Sequence, residues 1–152
     1  MTGNPPSGIG NVTWEEDWNY DPLGNWNGTS SAYLTKVNGT TTLDQNRTHN
    51  VVNEITNIST ATGTVWPTPV QNAVGNITNV PQPLALGSSF DLKWDAWNRL
   101  VEVTSSGAFI ARYAYDGSNR RISKVTGKEE RHYYYSDQWQ IIKLLSRRLG
   151  PT

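Results

Sequence analysis

Trp94-Asp95-Ala96-Trp97-Asn98-Arg99-Leu100 is followed, after a strand-like run, Ser105-Ser106-Gly107 and a second run at 109–115, by Tyr115-Asp116-Gly117-Ser118-Asn119-Arg120-Arg121-Ile122. The two segments share one pattern: an aromatic, an Asp, two variable residues, an Asn, an Arg and a resumed apolar strand. Each position has a physical reason. The aromatic ends a strand and lays its ring on the neighbouring hairpin. The Asp side chain accepts a bond from the backbone two residues on and closes the turn. Asn or Gly in the fifth place tolerates the left-handed backbone that a bulged hairpin loop requires. The chain then returns antiparallel, so the stretch predicts a β-hairpin repeat.

Working outward, Tyr20-Asp21-Pro22-Leu23-Gly24-Asn25-Trp26 is a good copy, with Pro22 presetting the backbone angle and Gly24 in the left-handed place. His49-Asn50-Val51-Val52-Asn53-Glu54 and Gln71-Asn72-Ala73-Val74-Gly75-Asn76 align with His or Gln for the aromatic and Asn for the Asp. Tyr135-Ser136-Asp137-Gln138-Trp139-Gln140 is a degenerate sixth copy. The Asp-equivalent positions, 21, 50, 72, 95, 116 and 136, are spaced by 29, 22, 23, 21 and 20 residues. A period near twenty in β-type sequence predicts stacked hairpins. Between the copies, residues 33–37 and 40–43 flank Asn38-Gly39, a strong hairpin signal. Pro67 and Pro69 break strand pairing, and Pro81 and Pro83 mark another loop or edge.

Composition agrees with a turn-rich all-β chain. Of 152 residues only 36% are apolar, but seven Trp and seven Tyr bring large ring areas, alongside 13 Gly and 8 Pro. One domain is the default at this length. The organisation read from the chain is a flexible leader at 1–13, a repeat domain at 14–145 and a tail at 146–152. Residues 141–145 read as a last strand or, extended through 149, as a short amphipathic helix stopped by Gly150-Pro151, with strand and then tail preferred. There is no cysteine, hence no disulfide framework. No apolar run reaches membrane-spanning length, and the first residues lack the pattern of a signal peptide.

Net charge is zero but unevenly placed. Residues 1–90 carry Lys36 and Arg47 against six acids, four net negative, and residues 91–152 carry eleven basic against seven acidic residues, four net positive. Opposite ends of this kind could favour head-to-tail contact or a polyanionic ligand. The plainer reading is a solvated β surface with an Arg after each turn.

The quoted turns resemble the YD repeats of the RHS family of bacterial proteins, and Tyr133-Tyr134-Tyr135-Ser136-Asp137-Gln138-Trp139-Gln140 is similar to the segment that follows the last repeats in many of them. The resemblance spans about residues 14 to 142 and is strongest from 88 onward. It implies antiparallel hairpin repeats forming a curved or spiralling sheet, part of an enclosing β-shell or adhesive surface of a large secreted or cell-surface protein, often around a C-terminal toxin. Carbohydrate binding has also been proposed for such repeats. The core segment that normally follows, with its self-cleavage aspartates, and any toxin domain are not among these residues, so the chain reads as a section of wall. The partners this implies are the rest of a larger RHS polypeptide and other copies meeting at open strand edges. Neither a nucleic acid nor a membrane span is expected.

No catalytic constellation is legible, so the chain is read as non-enzymatic and without cofactor. His49 and His132 lie far apart, and His49 fills an aromatic slot. Glu15-Glu16-Asp17 and Glu129-Glu130 are neighbours on strands and point to opposite faces. Asp21, Asp95 and Asp116 offer one carboxylate per repeat, which suits turn capping better than calcium. Six Asn-x-Ser/Thr triplets follow from Asn- and Thr-rich turns and carry no functional weight. The aromatics are the best case for binding, since exposed rings on a β surface can stack on sugars, and Trp26 and Trp97, beside and inside turns, are the candidates for a glycan-binding alternative. The competing reading makes the tryptophans the core of a protein poor in Leu and Ile.

Overall fold

Alternating hairpin turns and strand formers give, in a computed structural model, twelve antiparallel strands and no helix among the described residues, 12–27 and 31–150. The chain divides into two compact units, Met1–Thr68 and Pro69–Thr152. The boundary falls in the Pro67–Pro69 stretch, and each unit carries the net charge of its part, since residues 69–90 contain no charged side chain. The leader read at 1–13 lies outside the described residues up to Asn11, as do the last two residues of the tail.

The first unit is a four-stranded sheet in sequence order: β1 (Trp14–Trp18), β2 (Tyr33–Val37), β3 (Thr40–His49) and β4 (Ile55–Thr62). The second is an eight-stranded meander: β5 (Val70–Gln71), β6 (Ile77–Gln82), β7 (Ala85–Trp94), β8 (Leu100–Ser105), β9 (Ala108–Tyr115), β10 (Arg121–Thr126), β11 (Glu129–Tyr135) and β12 (Ile141–Arg148). Within each sheet every strand pairs with its neighbours in sequence. The ending is a strand, running to Arg148, because β11 offers seven partners from Glu129 to Tyr135. Pro81 pairs with Ser89 inside β6, beyond the point where the two-residue β5 stops, so its missing N–H faces no ladder.

In a meander, hairpin turns alternate between two rims, and all repeat turns of a sheet fall on one of them. Their chemistry is as the pattern predicts. Asp95 Oδ1 accepts the N–H groups of Trp97 (2.9 Å) and Arg99 (3.0 Å), and Asp116 Oδ1 those of Ser118 and Arg120 at the same distances. Asp21, Asn50 and Asn72 repeat this double acceptance. Ser136, whose hydroxyl is shorter, does so at 3.2 Å. The fifth place has positive φ in all six turns: Gly24, Asn53, Gly75, Asn98, Asn119 and Trp139. On the other rim Asn38-Gly39 and Ser106-Gly107 make the tight turns that their positive φ angles require.

Trp139 is the odd member, an indole in a left-handed place filled by Asn at 98 and 119. Trp139→Asn should therefore stabilise the chain by up to about 1 kcal/mol, less the weak stacking under Arg120 at 5.7 Å. A urea unfolding curve checks it, and a lower midpoint would contradict it.

The sheets have little interior. Ala32, Ile58, Val103 and Ala111 are the buried apolar residues among those described, and Gln45 the one buried polar residue. Every residue of β12 is exposed. No described tryptophan is buried, and Trp14, Trp18, Trp97 and Trp139 are exposed. The tryptophans are thus not a core. Within each sheet, stability must come from cross-strand pairs, stacking and turn bonds.

Candidate functional site

Two features gather the chemically capable side chains: the turn rim of the eight-stranded sheet and one aromatic face of the four-stranded sheet. At the rim, each turn is tied to the next in two ways. The aromatic before the Asp donates to a backbone carbonyl five residues after the preceding Asp-equivalent. Trp94 Nε1 bonds the Ile77 carbonyl (2.7 Å), the Tyr115 hydroxyl that of Leu100 (2.9 Å), and the Tyr135 hydroxyl that of Arg121 (2.8 Å). The residue after the left-handed position reaches forward. Asn76 Nδ2 donates to Asn98 Oδ1 (2.8 Å), Arg99 Nη1 to the Asp116 carbonyl (3.2 Å) and Asn119 Oδ1 (3.1 Å), and Arg120 Nη1 to the Ser136 carbonyl (3.2 Å).

The arginines are held on three sides. Arg99 bonds Asp95 Oδ2 through Nε and Nη2 at 2.7 Å and lies over the rings of Tyr115 (5.0 Å) and Trp97 (5.2 Å). Arg120 repeats this with Asp116, Tyr135 (5.3 Å) and Trp139 (5.7 Å). Planar guanidinium is suited to both contacts at once. The candidate Trp97 sits here as the second variable residue of its turn, 71% exposed, one face open and Arg99 beside it.

The other candidate, Trp26, belongs to the first unit and is half-buried. It stacks on Tyr33 (centroids 5.1 Å apart, planes at 30°), and Arg47 lies 4.3 Å above it and 5.5 Å from Trp66. Tyr33 also stacks on Trp18 at 6.1 Å and donates its hydroxyl to Glu16. Burial, and then the bond to Glu16, pushes the Tyr33 phenol up to about 12. Arg47 is pulled down by burial. Gln45, fully buried, accepts from Arg47 Nη2 at 3.3 Å. Strand register explains the grouping: Trp18 pairs with Tyr33, Tyr33 with Gln45, and Gln45 with Thr60, so the four side chains share a face. Sequence reasoning missed Tyr33, Gln45 and Arg47. The alternation of 45, 47 and 49 along β3 was a usable signal for that face, but nothing local places Trp66 against it.

The turn aspartates have carboxyls below the ordinary carboxylate range. At Asp116 the Arg120 N–H is the main cause, and at Asp21 the Asn25 side chain is. At Asp95 desolvation pushes upward and is outweighed by the backbone and guanidinium of Arg99. A carboxyl depressed on folding contributes stability that is complete above its unfolded value and disappears as pH falls through the native one. Urea midpoints should therefore be level from neutrality to about pH 5 and fall below about pH 4. Asp116→Asn keeps the acceptor and loses the charge, so its acid limb should be shallower, and an unchanged limb would contradict this account.

His49 Nδ1 is buried without a partner, and His132 Nε2 lies 3.1 Å from Glu130 Oε1. Among the described residues no three metal-ligating side chains gather. No helix of the described residues is long and apolar enough to cross a membrane.

No protein-family model matches the chain, and no curated protein matches it. Every functional reading therefore rests on the repeat and its geometry.

Proposed function

We propose that the chain is a structural and interaction scaffold of RHS/YD-repeat type without enzymatic activity. In this reading it is a stretch of an enclosing β-shell or adhesive surface in a bacterial secreted or surface protein, associated with a toxin. What supports it is the repeated coupling of successive turns: Trp94, Tyr115 and Tyr135 tie each hairpin to the one before it, and Asn76, Arg99 and Arg120 to the one after. Each repeat uses its polar and aromatic side chains on neighbouring repeats, leaving few for a ligand. Such an arrangement extends by addition of further strands at its edges.

Light scattering coupled to size exclusion, over a concentration series of the purified chain, tests this. Concentration-dependent growth is expected. A monomer at all concentrations would overturn it and favour a carbohydrate-binding β-module, the reading supported by the open ring of Trp97. That reading requires saturable glycan binding that Trp97→Ala abolishes.

A further inference from the structure

The charge asymmetry of the sequence has a definite location in the sheets. One outer strand of the four-stranded sheet, β1 (the other is β4), reads Trp14-Glu15-Glu16-Asp17-Trp18, and one outer strand of the eight-stranded sheet, β12 (the other is β5), reads Ile141-Ile142-Lys143-Leu144-Leu145-Ser146-Arg147-Arg148. Each has a strand partner on one side only among the described residues. One edge carries three carboxylates, the other three cations.

The backbone groups available on each edge follow from the ladders. Asn38 N–H bonds the Thr13 carbonyl and Asn19 N–H bonds the Ala32 carbonyl, so odd-numbered residues of β1 face β2. The N–H and C=O groups of Trp14, Glu16 and Trp18 then face outward. Leu149 N–H bonds the Lys128 carbonyl, which by the same alternation turns Leu144, Ser146 and Arg148 outward on β12, as far as the register shift at Ile142. Asp17 has no ion-pair partner of its own among the described residues, and its carboxyl is pushed up by burial and by Glu15. Arg148 likewise has no ion pair among them, and Arg147, in contact with Glu130, is 73% exposed.

We propose that β1 of one copy pairs antiparallel with β12 of a second copy, acidic edge to basic edge. Outward-facing residues must oppose one another, which leaves alternate registers. Of these, only the register that sets Glu16 opposite Arg148 opposes two carboxylates with two cations, because it also sets Asp17 opposite Arg147. The contact is heterologous, so an assembled pair still presents one free β1 and one free β12 and addition can repeat. The inference rests on the scaffold reading and names its edges.

The absence of cysteine makes the test direct. Asp17→Cys and Arg147→Cys chains, of different tag length, are mixed and oxidised at low salt. Opposed residues of this kind lie at disulfide distance, about 4.5–5.5 Å between Cα atoms, so a mixed disulfide dimer should dominate, and Asp17→Cys with Lys143→Cys should not give it. Arg147→Glu with Arg148→Glu should raise the concentration needed for assembly by about tenfold or more. Adding Glu16→Lys and Asp17→Lys to that same chain should restore assembly, because both introduced ammoniums then meet the introduced carboxylates across the contact. About 1 M salt should suppress wild-type assembly. Unchanged thermal melts of the variants exclude unfolding as the cause. Assembly indifferent to charge reversal, without the mixed disulfide, would overturn the edge assignment and leave the scaffold reading standing. A wild-type chain that stays monomeric at low salt would overturn both.

Discussion

Gly63→Ala should destabilise the four-stranded unit more than a methyl added at Gly24 or Gly39, where nothing lies within 4 Å. Gly63 has φ of +90°, and a Cβ there would stand 2.4 Å from the Thr42 carbonyl oxygen and 3.2 Å from the Leu43 Cα. Both obstacles are backbone, which cannot rotate aside. The left-handed conformation alone costs an L-residue about 1–2 kcal/mol, and overpacking adds roughly another 1–3 kcal/mol. A loss of about 2–5 kcal/mol is expected in urea unfolding followed by tryptophan fluorescence. Gly107→Ala is the control, since φ is +79° there but nothing lies within 4 Å of the new methyl. It should show the conformational cost without the clash. Equal losses in the two variants would refute the steric part of the argument.

Arg99→Met should have the second largest effect, because one side chain joins two turns. Methionine keeps an aliphatic chain against Tyr115 but loses the two bonds to Asp95 and the two to the next turn, at the Asp116 carbonyl and Asn119. Hydrogen bonds to charged groups contribute about 1.5–3 kcal/mol. With the ion pair only about one-fifth exposed, a net loss of about 2 kcal/mol is expected. Arg99→Lys restores the charge without the planar fork and should recover less than half of it. Full recovery by lysine would mean that charge, and not the fork, holds the turns together.

The repeat was legible because its determinants are local. Asp95 and Asp116 cap turns whose every bond lies within five residues, and Asn98 and Asn119 answer a backbone requirement that no distant group can alter. Asn38-Gly39 announced its hairpin for the same reason. The all-β class and the six turns follow from such short-range rules. The last strand instead runs on to Arg148, past the 145 at which the sequence suggests it stops, because β11 pairs with it that far.

Burial did not follow from them. Large aromatics in an apolar-poor chain suggest a core, yet few apolar side chains are buried in either sheet, and Trp14, Trp18, Trp97 and Trp139 stay exposed. Of the two candidate rings, Trp97 is open because its turn projects beyond the last strand pair. Trp26 is half-covered because Tyr33 and Arg47 reach it from other strands. Sequence alone determined the turns, their period and the charge of each part, because these depend on neighbours along the chain. Only tertiary structure decided which rings are open, which arginines bridge turns, and that the acidic and basic segments lie on free sheet edges, because those depend on register between residues ten to thirty positions apart.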